Sequence, residues 1–283
     1  MRFDDTLKKI VIHNLKNDNV PMLLGEPGIG KSSWVEALAK DMHTTCFTLA
    51  CNQLADKADV TGARLVPTEG GSYKQTFYPH AVIHDAIEYA LANKRETPIL
   101  FLDELNRTTP DVTSELLSIP TLRSIGSTQL PKNLKIITSG NNKGNITALD
   151  EASISRFVLY EVEPDVETFL NLDPDLNVYV RNVLSGPKGQ DLIFTKTTAY
   201  HTEEDMEYTI DDIIDDDDSM TQITTPRTIT AVSRLLNKLP KDELKELFES
   251  KGGEDTSVLE EILIGHTGPT TFTTLLLEAI SND

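Results

Sequence analysis

Basic residues are scarce in this chain of 283 residues: 26 lysines and arginines face 45 aspartates and glutamates, a formal net charge of −19. Neutralising many nucleic-acid phosphates takes a basic surface, so broad nucleic-acid binding is disfavoured. Anionic membranes are disfavoured on the same grounds. Long apolar runs are also missing. No window approaches the roughly eighteen apolar residues of a membrane-spanning helix. The first residues, Met1-Arg2-Phe3-Asp4-Asp5, lack the apolar core of a signal peptide. Cysteine is nearly absent: Cys46 and Cys51 have the spacing of neither a redox pair nor a zinc pair. Two cysteines form no disulfide framework, and a cytoplasmic protein is expected. Cys46 is expected inside a buried strand and Cys51 at its end. The single tryptophan, Trp34, reads as helix packing and not as a platform for stacking bases.

The charge that is present is unevenly spread. Through Tyr160 the acidic and basic residues nearly cancel, at 18 and 17, while the rest carries 27 acidic and 9 basic groups. Two regions with different roles are implied. Much of the acidity sits in Thr202 to Thr221, with ten acidic residues and no basic one. That run reads as a solvated loop, with a docking site for a basic partner as the sharper alternative. It lacks both the glycine and the spacing of an EF-hand loop.

The first region alternates strand and helix signals, the pattern of a parallel α/β sheet. An amphipathic helix carrying Leu7, Ile10, Val11 and Leu15 opens it. Strands are expected at Val20–Leu24, Thr45–Ala50, Ile99–Leu102, Leu134–Thr138 and Phe157–Val162. Helices are expected at Lys31–Asp41 and Ala81–Asn93, the latter burying Ile83, Ile87, Ala90 and Leu91. Between them, Thr68-Glu69-Gly70-Gly71-Ser72 is the turn of a hairpin spanning Gly62–Pro79. After Pro164 the apolar spacing is helical near Asp165–Asn171, Leu176–Leu184, Arg227–Leu239, Asp242–Lys251, Ser257–Ile264 and Thr270–Ile280.

The octapeptide Gly25-Glu26-Pro27-Gly28-Ile29-Gly30-Lys31-Ser32 fits the phosphate-loop pattern Gly-x-x-x-x-Gly-Lys-Ser/Thr at every fixed position. A strand enters it and a helix leaves it, as phosphate binding needs. Glycines let backbone N–H groups turn towards a β-phosphate, and the helix N-terminus adds partial positive charge. Lys31 would reach the β- and γ-phosphates and the Ser32 hydroxyl would ligate Mg²⁺, with Ser33 closing the nucleotide-binding set. The opposing possibility is a glycine-rich turn that happens to carry a lysine.

Two acids, Asp103 and Glu104, follow Ile99-Leu100-Phe101-Leu102, the most apolar run of the chain. Ligands of open α/β sheets bind at the carboxyl edge, where these acids emerge. Asp103 would hold Mg²⁺ and Glu104 would act as general base on water; alternatively they cap a helix. Asn141 follows the Leu134–Thr138 strand and could hydrogen-bond both water and γ-phosphate. It is preferred to Asn142, against a simple turn role. Arg156 sits at a helix-to-strand junction, either neutralising a helix end or inserting into a neighbouring subunit's site. His80 and His84 stand four apart on a helix but lack the glutamate of a His-Glu-x-x-His zinc motif, so capping or surface roles are expected.

With these motifs in order, the chain resembles the MoxR-type AAA+ ATPases of the dynein-related group, over roughly Val20 to Leu236. The family's Asp-Glu-Ile-Asn-Arg box stands as Asp103-Glu104-Leu105-Asn106-Arg107. Its Asp-Ile-Thr-Gly box is Asp59-Val60-Thr61-Gly62, and its sensor-1 segment is Thr138-Ser139-Gly140-Asn141-Asn142. The arginine-finger segment is Arg156-Phe157 and the sensor-2 segment is Thr225-Pro226-Arg227, which makes Arg227 a γ-phosphate contact. The resemblance implies a P-loop AAA+ α/β domain with a three-layer parallel sheet over residues 1–163. A smaller all-α lid follows over 164–283, with an acidic insertion at about 202–221. It further implies Mg²⁺-dependent ATP hydrolysis in a homo-hexameric ring. The Gly62–Pro79 hairpin becomes the helix-2 insert, and a second hairpin is expected near Leu122–Leu130. A protein client is remodelled, and a separate von Willebrand factor A domain protein is a candidate partner.

The chain departs from the family at three places. Asn142 replaces a proline, Pro120 interrupts the helix after Asn106-Arg107, and the acidic run precedes sensor 2. Two rival functions remain open. One is a nucleic-acid-associated motor or loader using pore lysines such as Lys74 and Lys132; the other is a nucleotide-gated regulatory module with negligible turnover.

Overall fold

The computed structural model describes residues 1–142, 146–195, 222–253 and 255–282. The acidic run at 202–221 lies outside them. The chain divides into two compact units, Met1–Glu163 and Pro164–Asp283. Among the described residues, no helix is long and apolar enough to cross a membrane.

The first unit runs α1 (Asp5–Lys16), β1 (Pro21–Leu24), α2 (Lys31–Asp41), β2 (Cys46–Ala50), α3 (Lys57–Thr61), β3 (Ala63–Pro67), β4 (Tyr73–Phe77) and α4 (Ala81–Ala92). It continues with β5 (Ile99–Asp103), α5 (Pro110–Leu116), α6 (Ser118–Leu122), β6 (Ser124–Ile125), β7 (Thr128–Gln129), β8 (Lys135–Gly140), α7 (Glu151–Ile154) and β9 (Val158–Glu161). Five strands form one parallel sheet in the order β2-β5-β8-β1-β9. Two hairpins stand apart from it, β3 with β4 and β6 with β7.

Burial explains the sheet. Ile99, Leu100, Phe101 and Leu102 are each fully buried. Alternate side chains of a strand point to opposite faces, so this run demands cover on both. Leu100 and Leu102 enter a core with Ile83, Ile87, Val112 and Leu116 from α4 and α5. Register then brings strand ends together. Leu102 of β5 and Met22 of β1 both pair with Thr138 of β8, so Asp103, Leu24 and Gly140 finish at one edge.

Three expectations need correction. Leu91 is 51% exposed, and Ala86 takes its place on the buried stripe of α4. Leu91 follows Ala90 by one residue, about 100° round the helix and off the stripe. Cys46 is only half-buried; Cys51 is the fully buried thiol. Burial raises the Cys46 thiol to about 11 and raises Cys51 further. The helical break after Arg107 falls at Leu117, between α5 and α6. Pro120 lies in the first turn of α6, where its missing N–H has no helical partner to lose.

Among its described residues the second unit is helical: α8 (Val166–Leu172), α9 (Val178–Leu184), α10 (Gly189–Leu192), α11 (Pro226–Lys238), α12 (Lys241–Glu249), α13 (Val258–Thr267) and α14 (Thr271–Ser281). Its core joins Val180 and Leu184 to Ile229, Val232, Leu263, Phe272 and Leu276. The short α10 had no signal in the apolar spacing. Helix α11 opens with a reciprocal cap between Thr225 and Thr228 and with Pro226 in its first turn.

Gly62 joins α3 to the β3–β4 hairpin at φ +59°, and a Cβ there would lie 1.6 Å from the Tyr78 carbonyl oxygen. Gly62→Ala is therefore expected to lower stability by more than the left-handed penalty of about 1–2 kcal/mol. An unchanged urea midpoint would show that this junction is not fixed as described.

Candidate nucleotide site

The loop between β1 and α2 is shaped by glycines. Gly28 and Gly30 take φ of +80° and +99°, which L side chains adopt at a cost. Helix α2 then starts without a side-chain cap and with no acid in its first turn. By contrast α1, α4 and α5 are capped by Asp4, His80 and Thr109. An uncapped helix N-terminus presents free N–H groups and suits an anion.

Lys31 is 6% exposed, and its Nζ donates to the carbonyls of Gly25 (2.7 Å) and Glu26 (3.0 Å) and to Asn141 Oδ1 (3.0 Å). The lysine is thus folded back over its own loop. The Ser32 hydroxyl donates to Asp103 Oδ2 at 2.6 Å, which joins α2 to the end of β5. Ser32 and Asp103 together offer adjacent hard oxygen donors of the kind Mg²⁺ prefers. Ser33 lies exposed in the first turn of α2.

Glu104 has φ +55°, a left-handed backbone for a residue that usually avoids it. Three backbone contacts hold the turn. Glu104 N–H donates to Ser139 Oγ (2.9 Å), Leu105 N–H to the Ser139 carbonyl (2.9 Å), and Arg107 N–H to the Glu104 carbonyl (2.9 Å). Ser139 Oγ also donates to Asp103 Oδ1, so one hydroxyl orients both acids. The Glu104 carboxylate accepts from Asn52 Nδ2 at 2.6 Å and lies 3.4 Å from Arg107 Nη1.

Asn141 is 1% exposed, and among the described residues its Nδ2 has no hydrogen-bond partner. A buried, unsatisfied amide donor is costly, by about 1–3 kcal/mol, unless a ligand accepts from it. Its Oδ1 is already committed to Lys31, so the vacant atom is the donor. An oxygen-rich anion between Lys31 and Asn141 would satisfy it. The residues present therefore fit a nucleoside triphosphate with Mg²⁺.

Gly25, Glu26, Lys31, Ser32, Asp103 and Asn141 are thus brought together, with Glu104 beside them. Arg156 is exposed, its Nη1 donating to Ser153 Oγ at 3.3 Å, and it is no part of this cluster. Arg227 belongs to the second unit, exposed at the start of α11. Sequence reasoning missed Asn52 and Ser139 as groups acting on Glu104 and Asp103. No local signal marks them, because their partners lie 52 and 36 residues away.

Among the described residues, no group of three or more His, Cys, Asp or Glu forms a metal cluster. His80 caps α4, its Nδ1 accepting the Val82 N–H at 3.3 Å, and His84 is exposed beside Asp85. Trp34 is buried with its ring 5.5 Å from that of Phe3.

Residues 21–157 match the family model of the AAA domain, dynein-related subfamily. The matched segment lies within the first unit and covers just under half of the chain, 137 of 283 residues. Solved structures similar to it include a candidate ATPase from Cytophaga hutchinsonii, at 17% identity over 60% of this chain and 49% of that one, with a TM-score of 0.38. The RuvB Holliday junction branch migration motor of Thermotoga maritima matches at 16% identity over 64% and 50%, TM-score 0.36. NtrX from Brucella abortus matches at 13% over 66% and 47%, TM-score 0.42. This chain spans about half the length of each. The sequence has no match among curated proteins.

Proposed function

We propose that this chain is an AAA-type ATPase of the MoxR kind, which hydrolyses ATP, works as a ring and couples turnover to remodelling a protein client. The reading is carried by one observation: Lys31 and Asn141, and Ser32 and Asp103, meet at a single sheet edge. ATP would lie against the loop backbone from Gly25 to Ser33, with Lys31 released from its carbonyls to the β- and γ-phosphates. Ser32 and Asp103 would hold Mg²⁺, which supplies charge neutralisation at the phosphate oxygens when bound.

Glu104 then accepts a proton from water as the water oxygen attacks the γ-phosphorus. The bond from that phosphorus to the β–γ bridging oxygen breaks, leaving ADP and phosphate. For this role the carboxylate must exchange its Asn52 contact for water. Asn141 Nδ2 donates to the γ-phosphate. Arg156, exposed and clear of its own site, is assigned to the neighbouring subunit's site. Arg227 carries the sensor-2 role by its place in the motif order.

The client reading draws on the β3–β4 hairpin. Leu65 is 69% and Tyr73 70% exposed there, on a chain whose acidity discourages nucleic acid. The family resemblance supplies the hexamer and a von Willebrand factor A domain partner, and composition and cysteine usage supply the cytoplasmic setting. The acidic run at 202–221 is assigned to partner or client docking.

Glu104→Gln should keep ATP binding and lose turnover by roughly 10²–10⁴, the usual worth of a general base. Equal hydrolysis by wild type and variant would sink the motor reading in favour of a regulatory module. Arg156→Ala should also bind ATP and lose most turnover, and mixing it with Lys31→Ala should restore part of it. Mixtures no more active than their components would argue against a site shared between subunits.

A further inference from the structure

Asn106 is 5% exposed, and no role in nucleotide chemistry attaches to it so far. Its side-chain amide grips the backbone of Asn141 from both sides. Nδ2 donates to the Asn141 carbonyl at 2.8 Å, and Oδ1 accepts the Asn141 N–H at 2.9 Å. The amide orientation follows from this pair, since exchanging O and N would set donor against donor and acceptor against acceptor. The Asn106 carbonyl meanwhile accepts the Thr147 N–H at 2.7 Å, so the residue is itself anchored.

The grip falls where the sheet stops helping. Strand β8 ends at Gly140, and its pairing with β5 ends at Thr138. Asn141 lies beyond both, so the ladder does not set its backbone. Gly140 is shaped for the contact: a Cβ there would lie 3.0 Å from Asn106 Oδ1 and 2.7 Å from Met22 Cε. Asn141 then presents one side-chain atom to Lys31 and leaves Nδ2 buried without a partner among the described residues.

We infer that Asn106 is a positioning residue, which holds the Asn141 backbone so that Nδ2 is aimed at the γ-phosphate before ATP arrives. The inference rests on the γ-phosphate role given to Asn141 above. It adds a division of labour at the end of β5: Asp103 and Glu104 serve the metal and water, and Asn106 serves the neighbouring strand's sensor. A donor fixed in advance costs no reorganisation when charge develops on the phosphate.

The test is a double-mutant cycle in steady-state ATPase, using the full chain with Asn106→Ala, Asn141→Ala and both together. Asn106→Ala should lower kcat by roughly a hundredfold, the cost of a small misplacement at a reacting centre. ADP affinity should stay within about twofold, because binding through the loop is untouched, while ATP affinity falls with the misaimed γ-phosphate donor. On the Asn141→Ala background, Asn106→Ala should cost nothing more, since no side chain remains to be aimed. Asn106→Asp keeps the volume and one acceptor but turns an oxygen towards the Asn141 carbonyl. It should melt lower than wild type, since the buried oxygens repel, and should lose turnover at a temperature where circular dichroism shows it folded.

Wild-type kcat in Asn106→Asp, or losses that multiply in the double variant, would overturn the positioning role while leaving Asn141 in place. Wild-type turnover in Asn141→Ala would overturn the sensor reading and, with it, the inference.

Discussion

Burial of Ile99 to Leu102 on both faces is the constraint from which the site follows. Four large apolar side chains removed from water contribute about 1.5–3 kcal/mol each before entropy is counted. They gain it only if β5 runs inside the sheet, between β2 and β8. A parallel sheet then delivers β1, β5 and β8 to one carboxyl edge in fixed register. The phosphate loop, the two acids and Asn141 meet there because the strands that carry them cannot slip without exposing apolar side chains.

On that edge, short polar side chains convert register into aim. Ser139 ties β8 to both acids of β5, and Asn106 ties the end of β5 to Asn141 in return. The left-handed backbone at Glu104 is what lets the chain turn from one set of contacts to the other. Its cost, about 1–2 kcal/mol, is offset by the hydrogen bonds that hold the turn. Preorganisation of this kind suits a reaction whose transition state spreads negative charge over phosphate oxygens.

Much of this was legible beforehand, for physical reasons. The Gly25–Ser32 loop is readable because each fixed position has a local job, and Asp103 because it follows an unmistakable buried run. The β3–β4 hairpin and all helices after Pro164 but α10 were visible through turn chemistry and apolar period, while the β6–β7 hairpin was expected from the family resemblance alone. What stayed hidden depends on contacts distant in sequence. Asn106 stood out only as one position of the Asp103–Arg107 box, because its partner is 35 residues away. Asn52 and Ser139 were hidden likewise. Leu91 was misplaced because an apolar residue beside a stripe looks locally like one on it. Arg156 and Arg227 were picked out by motif order alone.

The central claim is that the vacant Nδ2 of Asn141 is a γ-phosphate donor. Its most direct measurement is the affinity of wild type and Asn141→Ala for a non-hydrolysable ATP analogue and for ADP, each with Mg²⁺. A hydrogen bond to a charged group is worth about 1.5–3 kcal/mol, or roughly ten- to hundredfold. The variant should lose about that much of the preference for triphosphate over diphosphate, with ADP binding little changed. An unchanged preference in Asn141→Ala would contradict the account.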